Sequence, residues 1–218
     1  MFHHPLVTFF VAQGIPEQTV LLLLMLPLVA TLVAFFRQVI GIKAFGIYTP
    51  SIITFALLAF DPNGIKYGSA MFISIILVGM VTRFLLRNLR LLYLPRVAIT
   101  LSIVSLSVLF LLFIGAITHR TGLASVSIFP LLIMITLAEK FVATQIEKGS
   151  KTAFILATET LVISIVGYFL VSWSWLTDFI LAYPWAILFT FVINVWLGKW
   201  SGLRFTEYFR FQKITHSL

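Results

Sequence analysis

Residues 18–36 read QTVLLLLMLPLVATLVAFF and contain no charged side chain. A helix of this length rises roughly 28 Å, which is close to the thickness of the hydrocarbon core of a bilayer. Pro16 and Glu17 precede the stretch, as is common where a helix begins, and Arg37 follows it directly. The stretch therefore predicts a helix that crosses a membrane.

The rest of the chain has the same apolar character. Of its 218 residues, 61% are hydrophobic and 10% are charged, whereas a soluble domain is about half apolar. The sequence therefore predicts an all-α, polytopic membrane helix bundle. We draw seven spans, at residues 18–36, 44–60, 67–82, 97–118, 125–138, 152–171 and 179–197.

Basic residues are distributed unevenly between the gaps that separate these spans. Two of the fifteen, Lys66 and Arg120, lie on one side of the predicted bundle. The other thirteen lie on the opposite side and are Arg37, Lys43, Arg83, Arg87, Arg90, Arg96, Lys140, Lys148, Lys151, Lys199, Arg204, Arg210 and Lys213. By the positive-inside rule the rich side is cytoplasmic. We therefore expect a multi-pass protein of the bacterial cytoplasmic (inner) membrane, with its N-terminus outside and its C-terminus cytoplasmic.

This topology predicts three parts of the chain. Residues 1–17 form an extracytoplasmic, interfacial lead-in, whose apolar run is too short to span and which lacks the positive start of a signal peptide. Residues 18–198 form the seven-transmembrane domain. Residues 199–218 interleave aromatic and basic side chains, which predicts a cytoplasmic amphipathic tail at the membrane surface.

Two segments of the predicted spans resemble each other. Residues 40–60 read IGIKAFGIYTPSIITFALLAF and residues 121–141 read TGLASVSIFPLLIMITLAEKF, with a glycine before a shared proline and aliphatic residues after it. The repeating unit would hold three spans, so residues 43–118 and 122–198 would enter the membrane from opposite sides. The pattern predicts an inverted repeat, and the alternative is that glycine, proline and aliphatic residues recur by chance in an apolar chain.

The shared prolines, Pro50 and Pro130, remove a backbone donor within an apolar run and predict that spans two and five are broken. In inverted-repeat transporters, interrupted segments at matching positions mark a substrate site near the membrane midplane. Tyr48 and Thr49 would offer hydroxyl groups to a substrate there. The alternative for Thr49 is that it bonds a carbonyl freed by the kink.

Two glutamates are candidates for binding a substrate or an ion. Glu159 lies inside span six, where a charged group is costly and usually faces a cavity; the alternative is a pair with a basic residue of the neighbouring loop. Glu139 follows Thr136 at the end of span five, where freed carbonyls could bind a cation. The alternative for Glu139 is a boundary ion pair with Lys140.

A stripe of arginines follows span three. Arg83, Arg87 and Arg90 are spaced so that they share one helical face. Such a stripe can bind anionic lipid or an acidic cytosolic partner. Its alternative role is only to determine topology.

Several classes of function are disfavoured by what the sequence lacks. There is no cysteine, and the four histidines are not clustered at ligand spacing, so we predict neither a metal site nor another cofactor. No nucleophile stands beside a base in a protease-like motif, so we predict no catalytic residues and no catalytic activity of the chain's own. Nucleic acid is not an expected partner, because the charge is explained by topology.

The segments GIKAFGIYTPSIITFALLAF (41–60), LAEKFVATQIEKG (137–149) and GLRFTEYFRF (202–211) resemble a known family. It is the bacterial seven-transmembrane domain usually found fused to an inactive transglutaminase. More distantly, the paired glycine-to-proline segments and the TQIEKG turn resemble the poly-γ-glutamate capsule biosynthesis protein C. Only about seventeen residues precede the first span, so the chain is either a stand-alone version or part of a longer protein.

These resemblances imply an association with cytosolic ATP-grasp ligases and with an extracytoplasmic transglutaminase-like protein, besides the lipid bilayer. The first interpretation is a membrane subunit of an amino-acid-ligase-linked system that synthesises, anchors or exports an acidic peptide-like product. The second is an autonomous secondary transporter of a small solute or ion, which would use the inverted-repeat site. The third is a membrane scaffold or sensor module.

Overall fold

A computed structural model describes residues 4–60, 64–86, 89, 92–117 and 128–199. Within these ranges the chain is helical and contains no strand. The predictions that concern Arg87, Arg90, Gly122 and residues 200–218 lie outside the described residues. The predicted all-α membrane class is therefore confirmed for the part of the chain that the structure describes.

The described part of the chain forms the following helices, in chain order. They are α1 (Pro5–Ala12), α2 (Glu17–Phe35) with a π-helical turn at its end (Phe36–Ile40), α3 (Tyr48–Leu58), α4 (Gly64–Leu86), α5 (Tyr93–Ile117), α6 (Ile128–Lys148), α7 (Ser150–Ser172), α8 (Ser174–Ala182), a 3-10 turn (Pro184–Ile187) and α9 (Leu188–Gly198).

Five of these helices, within the described ranges, are long and apolar enough to cross a membrane: α2 with its π turn, α4, α5, α6 and α7. Helix α8 and the segment Pro184–Gly198 would together be long enough for a sixth crossing, but the chain bends by 106° between them. The prediction of a span over residues 179–197 is therefore not confirmed. Helix α3 has 11 residues and rises only about 16 Å, so it cannot cross a bilayer alone.

The prolines do not interrupt the helices in which they were predicted to lie. Pro50 and Pro130 are each the third residue of their helix, α3 and α6. The N–H groups of a first helical turn have no partner within the helix, so proline is tolerated there. The Pro-broken spans are thus not confirmed, and α6 continues to Lys148 instead of ending before Glu139. Pro27, by contrast, lies in the interior of α2, beyond its first turn.

The predicted repeat matches the structure in some details only. Its second helices, α4 and α7, both have 23 residues, but α3 is much shorter than α6. Gly149 links α6 to α7 with a φ of 86°. The inverted repeat and the seven spans stay predictions.

The chain forms two compact units. Unit 1 consists of Met1–Ser51 and Val166–Leu218, and unit 2 of Ile52–Ile165. The boundaries fall within α3 and α7, so each predicted repeat contributes to both units.

Unit 1 contains α1, α2, α8 and α9. Val7, Val20 and Leu181 form a buried cluster at the start of α2, and the His4 N–H donates to the Leu181 carbonyl (3.2 Å). Farther along, Asn194 Nδ2 of α9 donates to Thr31 Oγ1 of α2 (2.7 Å). The first part of α2 thus packs against α8, and its later part packs against α9.

Unit 2 is built around α4, α5 and α6, each of which packs against the other two. Glycines allow the close approach of helices to α4. A Cβ at Gly79 would lie 3.6 Å from Phe141 of α6, which is an ordinary contact, whereas a Cβ at Gly68 would overlap Leu57 of α3. A side chain at Gly68 would therefore require the Leu57 side chain to shift.

Candidate functional site

The end of α2 departs from regular α-helix, and this departure creates space beside α9. After the π turn, Gly41 takes a φ of 93°, and the N–H groups of Gly41 and Ile42 both donate to the Phe36 carbonyl, at 3.0 and 3.2 Å. A left-handed conformation of this kind suits glycine because it has no Cβ. The chain thereby turns away from the axis of α2.

A partly open cavity of about 380 Å³ lies at this turn, within unit 1. Its polar lining consists of Arg37, Gln38, Lys43 and Asn194, and apolar side chains such as that of Leu197 complete it. The lining residues include two formal positive charges and no aspartate or glutamate. An arrangement of this kind attracts a negatively charged group.

Asn194 is held in place by a chain of hydrogen bonds. Its Nδ2 donates to Thr31 Oγ1 (2.7 Å) and to the Thr190 carbonyl (2.8 Å), and Thr31 Oγ1 donates to the Pro27 carbonyl (2.8 Å). Both amide hydrogens therefore point to these partners. Asn194 lines the cavity, and the polar atom of its side chain that these bonds leave over is the acceptor Oδ1.

The end of unit 1 opposite the cavity carries exposed aromatic side chains. Trp175 and Phe179 stack with ring centroids 5.7 Å apart, and Phe179 contacts Tyr183 at 5.4 Å. Trp185 contacts the ring of His4 edge to face, at 6.4 Å. Aromatic residues of this kind are enriched where a membrane meets water. Unit 1 thus has an aromatic end at the start of α2 and a cationic end where α2 finishes.

The predicted site residues of the first proline segment lie in unit 1. Tyr48 is 79% exposed, whereas Thr49 and Pro50 are buried. The Thr49 hydroxyl donates to the Phe45 carbonyl (2.9 Å). This bond matches the alternative role of Thr49, in which its hydroxyl satisfies a backbone carbonyl at the start of a helix.

The predicted site residues of the second proline segment lie in unit 2. Pro130 is buried, and Thr136 and Glu139 are exposed. The Thr136 hydroxyl donates to the Ile133 carbonyl (2.8 Å). Because α6 is continuous through Glu139, the freed helix-end carbonyls that were predicted beside this carboxylate do not exist there.

Glu159 is half-buried and lies about 13 Å along α7 from Ser150. A buried row of hydroxyl groups follows it. Thr160 Oγ1 donates to the Leu156 carbonyl (2.6 Å), and Ser164 Oγ donates to the Thr160 carbonyl (2.8 Å). Thr54 of α3 donates to the Ser164 carbonyl (3.2 Å). This seam joins α3 to α7 within unit 2, and the sequence patterns did not indicate it.

Arg83 represents the predicted arginine stripe among the described residues. It lies near the end of α4 and is half-buried, with its Nη1 atom fully buried. Arg96 Nε, near the start of α5, is buried as well. Gln145 near the end of α6 is 2% exposed. Its Nε2 donates to Ser150 Oγ (3.1 Å), and its Oε1 has no partner among the described residues.

The residues of the cavity were not predicted as a site. Arg37 and Lys43 served only as indicators of topology, and Gln38 and Asn194 were not singled out. Asn194 could have been found, because it is an uncharged polar residue within the apolar run FVINVWL (191–197). No group of three potential metal ligands occurs among the described residues.

A family model described as seven transmembrane helices usually fused to an inactive transglutaminase matches residues 4–215. The chain belongs to this family. It is therefore a membrane module of a transglutaminase-associated family, as the resemblance of the sequence segments implied. No curated protein and no solved structure matches the chain.

Proposed function

We propose that this family member is the membrane subunit of an amino-acid-ligase-linked system that synthesises, anchors or exports an acidic peptide-like product. The observation that carries the proposal is the cation-lined cavity of unit 1, with Arg37 and Lys43 in its wall. Carboxylates form strong, charge-assisted hydrogen bonds with such side chains. The family's usual fusion to an inactive transglutaminase supports a partner of that kind on the extracytoplasmic side.

The proposed orientation places the N-terminus outside the bacterial cytoplasmic membrane and the C-terminus in the cytoplasm. The two ends of unit 1 support it, since the cationic end would face the cytoplasm. The cavity would then open towards the compartment in which an ATP-grasp ligase uses ATP. Arg83, Arg87 and Arg90 would face the ligase, and Pro50, Pro130, Glu139 and Glu159 would lie near the path of the product.

A second function is favoured by one observation. The 106° bend between α8 and the segment Pro184–Gly198 gives unit 1 a discontinuous helix, and discontinuous helices form the substrate sites of many secondary transporters. In this alternative the chain moves a small solute or ion without a ligase. Uptake of a solute by the purified chain in liposomes would support it.

The test of the first function is co-purification. The tagged chain is co-expressed with the ATP-grasp ligase of the same organism and isolated in mild detergent, and the retained ligase is quantified. We expect retention to fall at least ten-fold in the triple variant Arg83→Gln, Arg87→Gln, Arg90→Gln. Lys66→Gln, which changes an exposed lysine, should retain the ligase fully.

The triple variant is compared with the wild type by thermal melting, so that loss of the fold is recognised. Two results together would refute the proposed function. The wild-type chain would not retain the ligase, and cells that lack the chain would still form and release the ligase's product normally.

A further inference from the structure

We propose that the cavity of unit 1 binds the end of an amino acid or peptide that carries both a carboxylate and an N–H donor. This inference rests on the proposed function for the identity of the larger product, an acidic peptide. The ligand chemistry itself follows from the composition of the cavity wall.

The cationic half of the wall recognises the carboxylate. The Arg37 guanidinium presents parallel N–H groups that match the two oxygens of a carboxylate, and Lys43 adds a second positive charge. The lining residues include no aspartate or glutamate. An anion that enters therefore meets two cations within one small volume.

The wall also includes residues from the ends of two helices. The π turn of α2 and the end of α9 both finish at the cavity, which Gly41, Leu197 and Gly198 line. The last carbonyls of a helix have no partner within it and carry partial negative charge. Asn194 Oδ1 adds a side-chain acceptor, because both amide hydrogens are used elsewhere. Acceptors of this kind oppose a bare anion but suit an ammonium or amide N–H.

The size and depth of the cavity restrict the ligand further. A volume of about 380 Å³ lies near the lower end of small-molecule pockets, which range from roughly 300 to 1,000 Å³. It suits one or two residues better than a folded chain. Arg37 lies about 30 Å along α2 from Glu17, and this distance is close to the thickness of the hydrocarbon core. The cavity is therefore accessible from water, and also to lipid headgroups.

The experiment measures binding to the purified full chain in nanodiscs of zwitterionic phosphatidylcholine by isothermal titration calorimetry. The probes are the dipeptide L-glutamyl-L-glutamate, glutarate, which has carboxylates but no N–H donor, and inorganic phosphate. We expect the dipeptide to bind at least ten-fold more tightly than the other two. Arg37→Gln and Lys43→Gln should each weaken its binding at least ten-fold.

Three further variants refine this result. Arg37→Lys, which keeps the charge but not the paired N–H groups, should give an intermediate affinity, and Asn194→Ala should reduce the preference for the dipeptide over glutarate. Lys66→Gln should bind like the wild type. Thermal melting of each variant shows that a loss of binding is not a loss of fold.

Three results would overturn the inference: no binding of the dipeptide, equally tight binding of phosphate or glutarate, or loss of dipeptide binding in nanodiscs that contain phosphatidylglycerol. The last result would identify a lipid-headgroup site. The ligase co-purification test does not depend on these results. Both proposals stand if the wild-type chain binds the dipeptide, Arg37→Gln does not, and the ligase is retained. Only the ligand inference fails if the wild-type chain does not bind the dipeptide but retains the ligase.

Discussion

Two cationic regions, one in each unit, use the same residue types in different ways. In unit 1, Arg37 and Lys43 line an open volume at the end of α2. In unit 2, Arg83 and Arg96 have buried nitrogen atoms where three mutually packed helices begin or end. A charge beside a cavity borders a volume that a ligand can enter, whereas a charge with buried atoms must be compensated by the protein around it. The comparison therefore sets cations beside a cavity against cations whose nitrogen atoms the protein covers.

The largest expected difference comes from replacing one arginine of each region by methionine, which keeps an apolar stem. Arg83→Met should lower the stability of the chain by about 2–3 kcal/mol, because the interactions that this half-buried charged side chain makes with its surroundings are lost. Arg37→Met should change stability by less than about 0.5 kcal/mol. Unfolding of both variants in mixed micelles, followed by circular dichroism, measures the two effects. Equal effects would remove the distinction between the regions.

A second difference concerns how tightly the units are packed. Gly68→Ala in unit 2 brings a methyl group into overlap with Leu57 and should cost about 1–3 kcal/mol, as overpacking does. Gly79→Ala in the same helix is the matched control, because its methyl group would meet Phe141 at an ordinary distance. Midpoints of thermal unfolding for the two variants should differ clearly. Similar midpoints would mean that Leu57 moves aside easily.

Within unit 1, Gly46→Ala acts through the backbone and not through packing. Gly46 has a φ of 87°, and a methyl group added there would meet no atom within 4 Å. The cost should therefore be about 1–2 kcal/mol from the left-handed conformation alone, measured by unfolding in the same micelles. If Gly68→Ala lost less stability than Gly46→Ala, the expected order of these two variants, one from each unit, would be reversed.

The smallest expected effect is the coupling between Thr31 and Asn194. A double-mutant cycle with Thr31→Val and Asn194→Leu should give an interaction energy of about 0.6 kcal/mol, the average for polar contacts between helices in membranes. The four proteins are compared by unfolding in the same micelles. A coupling of zero would mean that the bond does not fix Asn194 in the cavity wall.

The long apolar runs could be predicted closely from the sequence. Helix α2 begins one residue before its predicted start, and α7 extends the predicted span by two residues at its beginning and one at its end. These helices are long and strongly apolar overall, so their length and hydropathy determine them.

Other features could not be derived in this way. Residues 139–148 of α6 are partly charged, yet glutamate, lysine, glutamine and alanine favour helix, so α6 continues where the apolar pattern stops. The bend lies at Tyr183, before Pro184, and the turn lies at Gly41, where proline and glycine allow a change of direction but do not determine its angle. The cavity requires α2 and α9 to meet, although Thr31 and Asn194 are 163 positions apart. A local pattern contains no information about a contact at that separation.

The way in which unit 1 joins the two terminal parts of the chain has a consequence for biosynthesis. Residues 52–165, which form unit 2, leave the ribosome as one continuous segment, so this unit can fold while synthesis continues. Helices α1 and α2 emerge early, but their packing partners α8 and α9 are made last. The early helices must therefore wait in the membrane with one face uncovered until translation is nearly finished. Helix α2 would therefore need a chaperone or insertion factor that protects such a face, and would need it for longer than any helix of unit 2.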